Sequence, residues 1–90
     1  MSTMPAVKMY ATRFCPYCMR ARSLLNRKQV PFTEINVGND SELWSEMEAL
    51  SGRHTVPQIF IGEQSIGGYD DMAALDRAGE LDKLLGLASC

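Results

Sequence analysis

The chain is predicted to be a small α/β domain in which a four-stranded mixed sheet is flanked by helices, in the order β-α-β-α-β-β-α. Two observations predict this class. Apolar residues recur at helical spacing in several segments, and short β-prone stretches lie between those segments. The opening part therefore forms a parallel βαβ unit, because two parallel strands need a crossover between them. Later, two short strands separated by Gly62-Glu63 predict an antiparallel hairpin.

The predicted βαβ unit covers the first third of the chain. Residues 6–10 alternate loosely between apolar and polar side chains and predict the first strand. Residues 16–28 have helical spacing, and Pro31 prevents the helix from continuing. Residues 32–37 predict the second strand. The apolar face expected on the helix consists of Cys18, Ala21, Leu24 and Leu25.

The second half contains the remaining helices and the hairpin. Residues 41–50 predict a helix that Asp40 or Ser41 caps and Gly52 ends. Residues 56–61 and 64–66 predict the last two strands, and a final helical region begins near residue 70 and breaks near Gly79. The apolar positions expected on the 41–50 helix are Leu43, Met47 and Leu50, with Trp44 packing beside them.

Length, charge and hydropathy exclude several classes of protein. Ninety residues predict one domain over residues 1–90. The formal net charge is −2 with both signs mixed, whereas a nucleic-acid module usually carries a basic face. No apolar run approaches the roughly 20 residues of a membrane helix, and the first residues lack the pattern of a secretory signal. We therefore expect a cytoplasmic monomer with no nucleic-acid or membrane partner.

Cys15 and Cys18 are the residues best suited to carry chemistry. Cys15 stands where the first strand gives way to the first helix, so N–H groups of Tyr17 and Cys18 can donate hydrogen bonds to its thiolate. Pro16 suits the first helical position. Cys15 is thus predicted to be ionised at neutral pH and to act as the nucleophile. Cys18 lies one turn inward, at a separation that permits a disulfide, and is predicted to be the resolving thiol.

Two other interpretations of this pair are weaker. A zinc site needs four ligands, and the chain offers only His54 and Cys90 in addition, at no recognisable spacing. Two inert core cysteines are disfavoured because a strand-to-helix turn beside Arg13 is a poor place for apolar burial. We therefore predict no metal site. His54 is expected in a surface loop, and Cys90 is expected to be an exposed thiol.

Three blocks in a fixed order resemble the dithiol, CPYC-type glutaredoxins of the thioredoxin-like superfamily. They are Cys-Pro-Tyr-Cys at 15–18, Thr-Val-Pro-Gln-Ile-Phe-Ile at 55–61 and Gly-Gly-Tyr-Asp-Asp at 67–71. The resemblance covers residue 7 to about residue 85. It implies a thioredoxin-like fold and a glutathione-dependent thiol–disulfide oxidoreductase, with glutathione as co-substrate and no tightly bound cofactor. Its implied substrates are protein–glutathione mixed disulfides and protein disulfides, and the resemblance allows ribonucleotide reductase among them.

The resemblance also implies how glutathione binds. In the family the peptide bond before the proline of the second block is cis, so Val56 would offer its backbone N–H and C=O to the cysteinyl residue of glutathione. The helix start in the third block would hold the γ-glutamyl carboxylate, and an aspartate would hold the ammonium. Either aspartate could instead simply cap the helix. The implied glutathione-binding residues are Tyr17, Thr55, Val56, Pro57, Gly68, Tyr69, Asp70 and Asp71.

The chain departs from the family in one position. Many members carry a lysine three residues before the nucleophile, where it pairs with the glycyl carboxylate of glutathione. Here that residue is Thr12, and Arg13 or Arg53 is the candidate replacement.

Two alternative functions remain open at this point. One is a thioredoxin-like general disulfide reductase, against which the Pro-Tyr dipeptide and the third block argue. The other is an iron–sulfur carrier in which Cys15 and glutathione ligate a cluster. Pro16 and Cys18 disfavour the cluster, because the cluster-binding members of the family mostly lack one or the other.

Overall fold

The computed structural model describes residues 5–87, and Cys90 lies outside them. The elements are β1 (Val7–Ala11), α1 (Pro16–Arg27), β2 (Thr33–Asn36), α2 (Ser41–Ser51), β3 (Gln58–Ile61), β4 (Gln64–Gly67), α3 (Tyr69–Arg77) and α4 (Glu80–Leu85). The predicted order of elements is confirmed. The strands form a mixed sheet in the order β2-β1-β3-β4, in which β1 and β2 are parallel and the other pairs are antiparallel.

The largest difference from the prediction is the start of β3. The strand begins at Gln58, which pairs with Tyr10 of β1, and residues 55–57 stay outside the sheet. Pro57 has no N–H to donate to a strand ladder, so regular pairing starts only after it. The final helical region breaks as predicted, at Gly79, whose φ of 77° is one that glycine adopts readily.

Apolar side chains are buried on both faces of the sheet. On one face, α1, α3 and α4 pack over β1 and β3, and the predicted apolar face of α1 is fully part of this cluster. On the other face, α2 contributes Met47 to a smaller cluster, with Trp44 packed at its edge. The prediction for Leu50 is wrong, because the end of α2 borders an open groove and Leu50 is 57% exposed. The smaller cluster consists of Tyr10, Val37, Met47 and Phe60.

One lysine joins the three helices of the larger face. The Lys28 ammonium, at the end of α1, lies 2.7 Å from the carboxylate of Asp76 in α3 and 2.7 Å from that of Asp82 in α4. Hydrogen bonds to these carboxylates raise the pKa of Lys28. Its side chain is only 17% exposed, so water screens these contacts less than it screens a surface ion pair.

We expect Lys28→Met to lower the free energy of unfolding by about 1–2 kcal/mol, because it leaves two carboxylates facing each other without a cation. Urea denaturation followed by circular dichroism measures the change. Lys83→Met is the control, since Lys83 is 74% exposed and its one carboxylate partner among residues 5–87 is Glu80 of its own helix. That control should shift the free energy by less than about 0.5 kcal/mol. Equal losses of unfolding free energy in the two variants would contradict the stabilising role of the Lys28 ion pairs.

Candidate active site

Cys15 is positioned by the junction of β1 and α1. Its backbone is extended, with φ −102° and ψ 119°, and it is the N-cap residue of α1. Pro16 occupies the first helical position, as predicted, where the absence of an N–H removes no helical hydrogen bond. The Met19 N–H donates to the Cys15 carbonyl over 3.0 Å, which starts the helix. The Cys15 side chain is therefore half-buried at the tip of a helix, open to a reaction partner.

The Cys15 thiol contacts the loop before β3. Its Sγ lies 3.9 Å from the Val56 carbonyl oxygen, the geometry of a weak hydrogen bond donated by the thiol. The structure does not contain the hydrogen bonds expected from Tyr17 and Cys18 to this sulfur, because Cys15 makes no side-chain cap. The sulfur is thus adjacent to Val56 as well as to the helix start.

Cys18 occupies a different environment. It is fully buried in the larger core cluster, which is the location predicted for the resolving thiol. Burial disfavours the thiolate and raises the pKa of Cys18 to about 11, and the neighbouring Cys15 acts in the same direction. A hydrogen bond from the Thr12 backbone and the charge of Arg22 oppose this rise. Both thiols are free, so the structure represents the reduced pair.

The raised pKa of Cys18 predicts a pH dependence for its attack on a mixed disulfide at Cys15. Only the thiolate attacks, and below a pKa of about 11 its fraction rises about tenfold per pH unit. We expect the rate of intramolecular resolution to rise steadily between about pH 7 and pH 9 by this relation. Stopped-flow release of thiol from a preformed Cys15–peptide mixed disulfide measures it. A rate that levels off within this range would show that Cys18 ionises more easily than its burial allows.

A groove of about 190 Å³ runs from α1 past the loop before β3 to the start of α3. It brings together every residue that the family resemblance implied for glutathione binding, and of the two candidate replacements for the family lysine it contains Arg53 but not Arg13. The lining residues come from three separate parts of the chain, which meet because β3 lies beside β1 and β4 returns the chain to the same edge. They are Tyr17, Arg53, Thr55, Val56, Pro57, Gly68, Tyr69, Asp70 and Asp71.

The middle of the groove is formed by the backbone of Val56 and Pro57. The Val56–Pro57 peptide bond is cis, as the resemblance implied. Within residues 5–87 no hydrogen bond engages the Val56 N–H, so this donor is available to a ligand. The buried amide of Gln58 donates to the Thr55 carbonyl over 2.9 Å and to the Thr55 hydroxyl over 3.2 Å. Sequence reasoning missed this role of Gln58, although a glutamine inside an apolar strand was a signal for it.

The far end of the groove is organised by Asp71. One of its oxygens accepts from the Gly68 N–H over 2.9 Å and pairs with Arg53 over 2.8 Å. The Gly68 hydrogen bond, followed by that of Arg53, lowers the pKa of Asp71. Asp70 is exposed and makes no side-chain hydrogen bond within the described residues. The two aspartates thus differ: Asp71 caps α3, and Asp70 is free at the surface.

Arg13 does not enter the groove. Its guanidinium lies 6.0 Å from the ring centre of Phe14, and Phe14 itself is 87% exposed. His54 is exposed, as expected for a surface loop. Across residues 5–87, no three histidine, cysteine, aspartate or glutamate side chains are arranged to hold a metal ion. In the same part of the chain, no helix has the length and apolar character needed to cross a membrane.

Fold and site together define a class of protein. The class is that of the thioredoxin-like thiol–disulfide oxidoreductases. Three features define it: a mixed sheet with order β2-β1-β3-β4, a C-x-x-C pair at a helix start, and a cis-proline loop beside that pair. The family model described as Glutaredoxin matches residues 7–66. The chain belongs to the glutaredoxin family, whose members are thiol–disulfide oxidoreductases.

Individual relatives agree with this assignment. A glutaredoxin of Pseudomonas aeruginosa is 54% identical over 82 residues, which cover 91% of this chain and 98% of that protein. The solution structure of glutaredoxin from Brucella melitensis is 46% identical with a TM-score of 0.84, covering 99% of this chain and 97% of that one. A buckwheat glutaredoxin–glutathione complex is 26% identical with a TM-score of 0.84, covering 92% and 78% of the two chains.

Proposed function

We propose that this protein is a glutathione-dependent oxidoreductase that reduces protein–glutathione mixed disulfides and protein disulfides. One observation carries the proposal: the Val56 carbonyl lies 3.9 Å from the Cys15 sulfur, and no hydrogen bond among the described residues engages the N–H of the same residue. An extended peptide can pair with such a backbone segment as a short added strand. The cysteinyl residue of glutathione provides a backbone of this kind. Pairing there would hold the glutathione sulfur against Cys15.

The charged groups of glutathione have candidate partners at the far end of the groove, where α3 begins and Arg53 pairs with Asp71. Tyr69 and Asp70 begin α3, where helix N–H groups favour a carboxylate such as that of the γ-glutamyl residue. The neighbouring α-ammonium would pair with the carboxylate of Asp70 or Asp71. Arg53 uses one Nη for Asp71, and a guanidinium carries five N–H donors. Arg53 can therefore hold Asp71 and the glycyl carboxylate together, while Arg13 remains a weaker candidate outside the groove.

The proposed reaction on a glutathionylated protein needs only one cysteine. The Cys15 thiolate attacks the glutathione sulfur, a Cys15–glutathione disulfide forms, and the bond to the protein sulfur breaks. The protein thiolate leaves and takes a proton from water. A second glutathione thiolate then attacks the glutathione sulfur held on Cys15. This releases glutathione disulfide and restores the Cys15 thiolate.

The proposed reaction on a protein disulfide uses both cysteines. Cys15 attacks one sulfur of the substrate and forms a mixed disulfide with it, and the other substrate sulfur leaves as a thiolate. Cys18 then attacks the Cys15 sulfur, which forms the Cys15–Cys18 disulfide and releases the second substrate thiolate. Two glutathione molecules reduce this bond and become glutathione disulfide. Glutaredoxin pairs have potentials of about −200 to −230 mV, near that of cellular glutathione, so the direction depends on the pool.

Two further observations support glutathione as the reductant. The similar buckwheat protein is described in complex with glutathione. The groove also ends at a helix start with adjacent carboxylates, a combination that suits a ligand carrying both an α-carboxylate and an α-ammonium. A general disulfide reductase that binds only extended polypeptide would not need a helix start with adjacent carboxylates in its groove. We also propose that the protein is a monomer and that it acts in the cytoplasm, because the reducing conditions there keep such a thiol pair active.

The test is the reduction of a glutathionylated peptide by the purified protein, with glutathione reductase and NADPH regenerating glutathione. We expect turnover that requires glutathione. Replacing glutathione and its reductase with thioredoxin reductase and NADPH should give no turnover. Activity with the second system alone would overturn glutathione dependence. A brown chromophore in anaerobically purified protein that is lost in Cys15→Ser would favour the cluster carrier instead.

A further inference from the structure

The apolar surface around Cys15 extends beyond the glutathione groove. Phe14 directly precedes the nucleophile and is 87% exposed, and Met19, one helical turn after Cys15, is 57% exposed. Neither residue lines the groove. An apolar residue just before an N-cap often packs against the fourth helical residue as a hydrophobic staple. Phe14 and Met19 occupy these two positions, but the exposure of Phe14 shows that it is not buried in such a contact.

The same surface carries unpaired positive charge. Arg13 stacks on Phe14, and Arg20 lies 5.4 Å from the ring centre of Tyr17. Neither guanidinium has a carboxylate within 4.0 Å in the part of the chain that the structure describes. The other arginines of the site region differ, since Arg22 pairs with Glu34 and Arg53 with Asp71. Arg13 thus lies beside the exposed Phe14 ring and Arg20 beside Tyr17, which lines the groove, and both are free to meet an acidic group.

We propose that Phe14 is a specificity-determining contact for protein disulfides, and that the preferred substrate segment has an apolar residue next to its cysteine and a carboxylate nearby. The inference rests on the dithiol reaction proposed above. In a mixed disulfide the two Cα atoms lie about 4.4–6.8 Å apart, and consecutive Cα atoms are about 3.8 Å apart. A residue flanking the substrate cysteine therefore falls within side-chain reach of Phe14. Arg13 and Arg20 provide the charge complement.

Small disulfides do not reach this surface. They can therefore distinguish a loss of contact with the substrate segment from a loss of catalytic activity. A glutathione–mercaptoethanol disulfide has no flanking residue on its leaving side, and its glutathione part fits the groove. Removing Phe14 should therefore affect peptide substrates only. Burying part of a phenylalanine side chain against an apolar residue is worth about 1.4 kcal/mol, or about tenfold in rate.

The test uses three short disulfide-linked peptide dimers whose cysteine is flanked by Leu and Glu, by Ser and Glu, or by Leu and Lys. Prereduced protein is mixed with each dimer, and the first released peptide thiol is followed in a single turnover that needs no glutathione. Each event forms one Cys15–peptide disulfide and breaks one peptide–peptide disulfide. We expect the Leu/Glu peptide to react about tenfold faster than either of the others.

Phe14→Ser should reduce the preference for Leu/Glu over Ser/Glu to about twofold or less. Its turnover of glutathione–mercaptoethanol disulfide should stay within about twofold of the wild type. Leu50→Ser is the matched control, because Leu50 is also an exposed apolar residue, at 57%, but borders a different groove. It should leave both readouts unchanged. Unfolding curves of both variants confirm that they are folded.

Several outcomes would overturn the proposal. One is a Leu/Glu preference that survives Phe14→Ser, and another is an equal loss on the small disulfide, which would assign Phe14 to catalytic geometry. Gel filtration that shows a wild-type dimer and a Phe14→Ser monomer would make the surface a contact between two copies of this chain. Failure of glutathione dependence would instead appear in the coupled assay and leave the single-turnover peptide rates intact.

Discussion

Cys15→Ser is expected to lower the turnover of a glutathionylated peptide by at least about a thousandfold, because a serine hydroxyl does not ionise near neutral pH and cannot attack the disulfide. Cys18→Ser is expected to retain a large part of the wild-type rate on the same substrate. The half-buried position of Cys15 beside Val56 and the full burial of Cys18 are the structural reasons for this asymmetry. In the reaction proposed above, glutathione completes the cycle at Cys15 without Cys18.

With a protein or peptide disulfide as substrate, Cys18→Ser is expected to lose most of its turnover. Without a resolving thiol, the variant should accumulate a mixed disulfide at Cys15 that mass spectrometry detects as a covalent adduct. Steady-state rates in the glutathione reductase assay, measured on both substrates, give the comparison. If Cys18→Ser were as inactive as Cys15→Ser on the glutathionylated peptide, the one-cysteine reaction would be wrong.

Gly67→Ala is expected to damage the groove and the fold together. Gly67 has φ +107°, a conformation that strains any residue with a side chain. An added Cβ would collide with the Asp71 carboxylate and approach Arg53 Nη1 to 3.1 Å. Moving Asp71 aside breaks its hydrogen bond with the Gly68 N–H and its ion pair with Arg53. We expect a loss of about 1–3 kcal/mol in unfolding free energy.

The same substitution should raise the KM for glutathione about tenfold or more, because a charge-assisted hydrogen bond contributes about 1.5–3 kcal/mol. Gly79→Ala is the control for backbone strain, since Gly79 has φ +77° but nothing within 4 Å of an added Cβ. It should lose stability and keep its KM. Asp71→Asn should raise the KM with a smaller loss of stability. A Gly67→Ala protein with normal KM would show that glutathione does not use Asp71.

Local features of the site could be predicted from the sequence because they depend on neighbouring residues. Cys15, Pro16 and Cys18 lie within one helical turn, so helix geometry alone placed one thiol at the tip and the other inward. The break at Gly79 followed from the conformational freedom of glycine. Apart from Arg53, the groove residues were identified from three blocks that resemble a family, and spacing by itself could not have shown that those blocks meet.

Contacts between distant segments were decided only by the tertiary structure. The sequence could not rank Asp70 and Asp71, and the packing of Arg53 against α3 assigns the cap to Asp71. The sequence also predicted Arg13 as a groove residue, whereas in the structure its side chain lies beside the Phe14 ring.

The sequence by itself therefore determined the order of the elements and the placement of one thiol at the helix tip and the other further inward, because both follow from local periodicity and helix ends. The tertiary structure decided which charges meet and which side chains stay exposed. Those outcomes depend on how β3 and β4 return the chain to the helix that carries Cys15. A side-chain pair such as Arg53–Asp71 spans 18 residues of sequence, and its 2.8 Å contact exists only after the sheet has formed.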